Sequence, residues 1–279
     1  MHPSRAALLA AVSLAVGSAP GCSLVSLEGL SGGVAPPDAA TGGGDGEAGA
    51  PMGYAAQVLA DAPLAYWRFG ESSGTSAADA SGNGNDATYE GGVALGATGA
   101  LAGDADTAAT FDGVSGFVTV GNRFGFEGQK PFSIEAWVSV EPRTTYAGLV
   151  SRNDAVGGPP SEGFLLFVAP SDGPFGFQRL DGASLSTATS VAGPTATGFT
   201  HVVGAFDGLE LVVYVDGESQ GAQTASFAIA GAVTDFVVGA EAGGAGNFLA
   251  GTLDEVAIYD HALPAARVSA HYLAGIGSP

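Results

Sequence analysis

Twelve residues, Asp79 to Glu90 (DASGNGNDATYE), carry oxygen-bearing side chains at nearly the spacing of a calcium loop: Asp79, Ser81 and Asn83, then Gly84, with Glu90 at the twelfth place. In an EF-hand that spacing wraps a hard cation in carboxylate and carbonyl oxygens, but the loop must sit between two helices. Its flanks here, AYWRFGE and GGVALGATGAL, read as a strand and a glycine-rich connection, and the usually aliphatic eighth place is Asp86. The simpler reading is a turn. Gly82 and Gly84 supply positive-φ positions, and Asp79 and Asn83 bond the local backbone.

Other reactive spacings are weaker. GESQG (Gly217 to Gly221) fits a nucleophile elbow, which needs a strand, a sharp turn and a helix. The following GAQTASFAIAG is not helical in pattern, so Ser219 reads as a hairpin residue. GNGNDA lacks the βαβ unit that a dinucleotide site requires. The histidines are His2, His201, His261 and His271, with no HxH, HExxH or Cys/His cluster to hold zinc. The longest polar insertion, Ser151 to Gly163, sets Arg152, Asn153 and Asp154 side by side as a donor, an amide and an acceptor. Polar loops are where recognition usually lives, so these three are the candidate ligand contacts.

The elements that must position such residues are strands. In FSIEAWVSV, Phe132, Ile134, Ala136, Val138 and Val140 alternate with Ser133, Glu135, Trp137 and Ser139. LELVVYVDG alternates likewise and ends in Asp216-Gly217, a hairpin signal. In TLDEVAIYD the aliphatic spacing slips from two to three, which predicts a β-bulge at Asp254-Glu255. GYAAQVLADAP predicts a short helical turn before Pro63. LPAARVSAHYLAG predicts another, with Pro264 in its first turn and Gly275 beyond its end. Everything between is β, so the fold class is all-β, two antiparallel sheets stacked as a sandwich with short helical turns at both ends. Trp67, on a face with Ala65 and Phe69, and Trp137 are expected in the interior.

Composition agrees. Of 279 residues, 46 are glycine and only 13% are charged, while 46% are hydrophobic. Net charge is −20 and Lys130 is the only lysine. Such a surface repels phosphate backbones and anionic lipid, which excludes nucleic acid and charge-driven membrane binding. Calcium and neutral ligands such as sugars remain compatible.

The amino-terminal residues 1–22 read as a secretory signal: Arg5, an apolar run from Ala6 to Val16, then small residues, too short to span a bilayer. SAPGC resembles a lipobox, with Gly21 before the sole cysteine, although Ala19 and Pro20 depart from that pattern. The expectation is an extracytoplasmic protein, a bacterial outer-membrane or cell-surface lipoprotein acylated at Cys22, or a secreted one if it is not. The membrane would then be met only through the anchor. Residues 23–53, rich in Gly, Ala and Pro, read as a flexible tether; the folded domain spans 54–275, and 276–279 form a tail.

AYWRFGE, DASGNGNDATYEGG, AATFDGVSGFVTVG, FSIEAWVSV, THVVGAFDGLELVVYVDG and GTLDEVAIYDHALPAARVSAHY occur in that order. Together they resemble a laminin-G-like jelly-roll domain of the concanavalin-A-like superfamily. The resemblance implies two antiparallel sheets with ligand loops at one rim, and a structural His201 in the strand THVV. It also implies a structural calcium joining an early loop to a late acid, for which Asp79 and Asp254 are the candidates; without the metal, Asp254 would be a buried carboxylate bonded to backbone amides. Glycoside hydrolases of this fold use paired carboxylates on one strand. Glu135 stands alone, and Glu210 and Asp216 flank a turn, so no catalytic residue is assigned. The expected function is a non-enzymatic binding module for carbohydrate. The alternatives are a protein-binding adhesion or scaffold module and, behind it, a hydrolase.

Overall fold

A computed structural model describes residues 52–278 apart from 157–160, 172 and 196. The signal-like segment with Cys22 lies outside the described residues, as does the tether up to residue 51.

The first half of the domain holds α1 (Tyr54–Ala60), β1 (Ala65–Trp67), β2 (Ser76–Ala77), β3 (Ala87–Glu90), β4 (Val93–Thr98), β5 (Thr107–Asp112), β6 (Phe117–Gly121), β7 (Phe132–Val140) and β8 (Ala147–Asn153). After them come β9 (Glu162–Val168), β10 (Phe175–Asp181), β11 (Leu185–Thr189), β12 (Thr200–Phe206), β13 (Glu210–Val215), β14 (Glu218–Thr224), β15 (Phe236–Val238), β16 (Ala250–Tyr259) and α2 (Ala265–Gly275). Two eight-stranded antiparallel sheets form the sandwich. The first runs β14-β13-β12-β7-β16-β5-β4, with β1 also paired to β16; the second runs β11-β10-β9-β8-β15-β6-β3-β2.

Alternation decides what each face meets. Phe132, Ile134, Ala136 and Val138 of β7 enter the core between the sheets, together with Trp67 from β1 and Phe164 and Leu166 from β9. The opposite face of the first sheet is not left to water. Trp137, Val203, Tyr214 and Tyr259 pack there under Tyr54 and Val58 of α1 and Val268 of α2, making a second, smaller apolar cluster. Each large apolar side chain so buried contributes about 1.5–3 kcal/mol. The helices therefore act as a cover on the first sheet.

Local details follow the sequence closely. Asp216 (φ 51°) and Gly217 (φ 80°) both turn left-handed between β13 and β14, as a two-residue hairpin requires. The register of β16 shifts between Asp254 and Ala257, and Glu255 has φ 53°, so the bulge is present where the aliphatic spacing slips. The terminal helix is displaced by a residue or two from its expected frame. Pro264 is the extended N-cap rather than a first-turn residue, and Gly275 is the last helical residue rather than the one beyond. Close approach explains the glycine: a Cβ on Gly275 would lie 2.3 Å from the Trp137 ring.

Candidate functional site

The outward face of β9, β10 and β11 forms a groove of about 380 Å³. Inward positions of these strands are apolar (Phe164, Leu166, Phe175, Phe177, Ala188). Outward positions carry Leu165, Phe167, Gln178, Thr187 and Thr189, which line the groove. Phe167 pairs directly with Gly176, and a Cβ there would sit 2.2 Å from its ring. The glycine thus lets the ring lie over the backbone of β10. Tyr146, half exposed, meets Phe167 edge-on at 5.6 Å. One wall is the connection between β15 and β16, folded back onto β8. Ser151 Oγ donates to the Ala240 carbonyl, Gly148 N–H to that of Asn247, and Ala242 N–H to Asn153 Oδ1, at 2.9, 2.9 and 3.1 Å. This wall presents Glu241 and Asn247, joined by a 3.0 Å hydrogen bond from Asn247 Nδ2. The groove combines aromatic and aliphatic surface with an amide, hydroxyls and one carboxylate, the composition of a site for a polar ligand with apolar faces.

A second polar centre lies beneath the helical cover. Glu135 of β7 is fully buried. It accepts from Tyr54 Oη (3.0 Å), Tyr259 Oη (2.7 Å) and His201 Nε2 (2.7 Å), and from His271 Nδ1 at 3.0 and 3.1 Å. The other nitrogen of His271 lies 3.0 Å from Asp61, whose carboxylate also takes Arg267 Nε at 2.8 Å. Carboxylates flank both ring nitrogens of His271, Glu135 at Nδ1 and Asp61 near Nε2, where Arg267 Nη2 also lies at 3.4 Å. Burial opposes its charge, but Glu135 and Asp61 raise its pKa above the ordinary value. Burial alone would push Glu135 up; the two histidines override it and hold the carboxyl far below the usual range. Glu135 and both histidine rings are buried, His201 Nδ1 without a hydrogen-bond partner, and the cluster ties α1 and α2 to the sheet. His201 has the structural place expected of it.

The bulge buries two more acids. Glu255 accepts from Tyr66 Oη and, at 3.0 and 2.9 Å, from Arg68 Nε and Nη2. Asp254 Oδ2 accepts the Ala100 N–H at 2.7 Å, while its Oδ1 is buried without a hydrogen-bond partner. Burial, reinforced by Glu255, raises Asp254 to about 8, and burial raises Glu255 to about 7 despite Arg68 and Tyr66.

Asp79 bonds differently. Its Oδ1 accepts Tyr66 and Ser81 N–H and its Oδ2 accepts Asn85 N–H, at 3.0, 2.9 and 2.9 Å. Partial burial works against its charge, yet the Ser81 side chain and these amides keep its pKa below the ordinary value. Gly82 and Gly84 both have positive φ. The stretch therefore has the geometry of a turn. Asp79 and Asp254 share no partner, and no three His, Cys, Asp or Glu side chains gather as a metal-holding group among the described residues. As one calcium ligand set the two acids do not fit.

Arg152, Asn153 and Asp154 also stand elsewhere than their sequence suggested. Arg152 and Asn153 are the last residues of β8, 5% and 1% exposed. Arg152 Nη2 donates to Asn122 Oδ1 (2.5 Å) and the Ala232 carbonyl (2.8 Å), Asn153 Nδ2 to the Ala155 carbonyl (2.7 Å), and Asp154 accepts Val233 N–H (2.8 Å). They hold neighbouring loops in place. The groove residues escaped sequence reasoning because an outward Gln or Thr on a strand looks like ordinary polar alternation. The hint was Phe167 and Leu165, apolar on a face that should be wet.

Comparison with known proteins agrees with this architecture. A laminin-G-type sequence profile described as the concanavalin A-like lectin/glucanases superfamily matches residues 111–269. No curated protein sequence matches the chain significantly. Among solved structures, domain 4 of AbnA, a GH43 extracellular arabinanase from Geobacillus stearothermophilus, in complex with arabinotriose, is similar at TM-score 0.55 and 21% identity, over 75% of this chain and 98% of that one. A Trypanosoma rangeli sialidase mutant displaying trans-sialidase activity aligns at TM-score 0.54 and 18% identity, over 77% and 33%. The binding domain of Paraclostridial Mosquitocidal Protein 1 aligns at 0.56 and 15%, over 77% and 52%. The chain thus spans about a third of the sialidase and half of the toxin domain, and at these identities the likeness is one of fold.

Proposed function

We propose, from the premise that the chain belongs to the concanavalin A-like lectin/glucanases superfamily, that it is a non-catalytic carbohydrate-binding module whose site is the groove on β9–β11. The observation that carries this reading is the pairing of Tyr146 and Phe167 with Gln178, Asn247 and Glu241 around one open cleft. Aromatic rings pack on the C–H faces of sugars, while amides and carboxylates bond their hydroxyls. Glycoside hydrolysis ordinarily needs two carboxyl groups flanking the bond. Among the described residues Glu241 is the single acid lining the groove, and it is buried, as are Glu135, Asp254 and Glu255, which favours binding over hydrolysis. The arabinotriose complex of the AbnA domain is a precedent for sugar binding on this fold.

A glycan array followed by calorimetry tests the reading. Tyr146→Ala and Gln178→Ala, both outward-facing, are expected to weaken binding by about 10- to 30-fold, the loss typical of an aromatic anchor, with unchanged circular dichroism. Wild-type affinity in both variants would move the site elsewhere. An array blank for every glycan would favour the protein-binding adhesion reading, and release of reducing sugar from a polysaccharide would favour the hydrolase.

Calcium has its own test. Because the Asp79 oxygens are occupied by amides, adding calcium and then chelator is expected to leave the melting temperature unchanged. A rise that chelator reverses would mean that the folded domain binds calcium, and its loss in Asp254→Asn would point to the buried Oδ1 of Asp254. The lipoprotein reading predicts that Cys22→Ser abolishes acylation and releases the protein from membranes; palmitate labelling and fractionation measure both. No helix among the described residues is long and apolar enough to cross a membrane.

A further inference from the structure

We infer that the groove takes uncharged glycans and turns away those carrying carboxylate, sulfate or sialate groups, an inference that rests on the groove being the sugar site. The argument is an inventory of positive charge. The chain has 28 acidic and 8 basic residues other than histidine, and an anionic sugar needs an accessible cation or a cluster of N–H donors to offset its desolvation. None of the described residues lining the groove is Lys, Arg or His, and one of them is Glu241.

The basic side chains of the described residues are engaged elsewhere. Arg68 faces Glu255, Asp104 and Asp106 at 2.9, 2.7 and 3.0 Å. Arg267 is held by Asp61 and Gln57. Arg179 points inward, fully buried, over the Phe206 ring at 3.9 Å, and donates to the Gly128 and Phe227 carbonyls. Arg152 is buried at the end of β8. Arg143 is the basic residue nearest the groove. Its Nη2 donates to the carbonyl of Ala169 on the rim, and its Nε and Nη1 are buried from solvent. Two cations are exposed, Arg123 and Lys130. Arg123 follows β6, three strands from β9 across the second sheet, and bonds Asn85; Lys130 precedes β7 and pairs with Glu127 at 3.6 Å. An acidic sugar seated in the groove would meet the negative field of the whole domain, with Arg143 at the rim as the nearby cation and already bonded to the Ala169 carbonyl.

Matched glycan pairs test this on the intact protein: sialylated and desialylated, sulfated and desulfated, uronate-bearing and carboxyl-reduced. Wherever the neutral twin binds, the acidic twin is expected to bind at least about 10-fold more weakly, which is about 1.4 kcal/mol. The gap should narrow as salt rises from about 20 mM to about 0.5 M, because screening relieves the repulsion. An acidic twin bound as tightly as its neutral partner at low salt overturns the inference and leaves the groove reading standing. Binding of neither kind overturns the groove reading itself, and this inference with it.

Discussion

Glu135→Ala is expected to lower the unfolding free energy by about 3–5 kcal/mol, the loss seen when one member of a buried charge pair is removed. The substitution leaves His271 buried beneath the helices with Asp61 as its remaining carboxylate neighbour, and strips partners from Tyr54, Tyr259 and His201. Tyr259→Phe, which removes one donor to the same carboxylate, should cost about 2 kcal/mol, the worth of a hydrogen bond to a charged group. Urea denaturation of both variants at pH 6 measures the difference. Equal, sub-kilocalorie losses would mean that the cluster does not hold the helices down. Hydrogen exchange adds a spatial readout: amides of α1 and α2 should lose protection in Glu135→Ala before those of β9 and β10.

The second large effect is on pH. Asp254 and Glu255 have folded pKa values of about 8 and 7, above their ordinary 3.8 and 4.5. Acids raised in this way contribute stability that is fully present below the unfolded pKa and is lost as pH climbs to the folded one. His271, raised above 6.5, loses its contribution over the upper part of the same climb. Glu135 works in the opposite sense: its depressed pKa contributes above 4.5 and fades as pH falls below it. The domain should therefore be most stable near pH 4.5 and lose several kcal/mol by pH 8, since each pKa unit is worth about 1.4 kcal/mol. For a domain of this size that is a fall in melting temperature on the order of 10 °C. Asp254→Asn keeps the shape and removes the titration, so most of the slope should disappear; because the two acids repel one another, some will remain with Glu255. A melting temperature flat from pH 4.5 to 8 would contradict the burial of these groups.

How far the sequence foretold all this depended on the range of the interactions. The alternation of β7, the Asp216-Gly217 hairpin and the bulge at Asp254-Glu255 are local patterns, governed by side-chain period and turn chemistry within a few residues, and each was legible. The Glu135 cluster was not. Its partners come from α1, β12, β16 and α2, at separations of 66 to 136 residues from β7 for the histidines and the tyrosines alike, and nothing in FSIEAWVSV says what will cover its polar side. Arg152 and Asn153 misled for the converse reason. Their polarity suggested a wet loop, whereas β8 continues through them, Arg152 donates to the Ala232 and Thr234 carbonyls, and Asn153 donates to that of Ala155. The groove required knowing which outward faces are walled, a fact fixed by the fold-back of the β15–β16 connection.

The helical cover has a consequence for presentation. Since α1 and α2 touch and both lie on the first sheet, the two ends of the domain leave from one side, while the cleft opens on the reverse of the sandwich. The cleft and the two ends of the domain therefore lie on opposite faces of the sandwich.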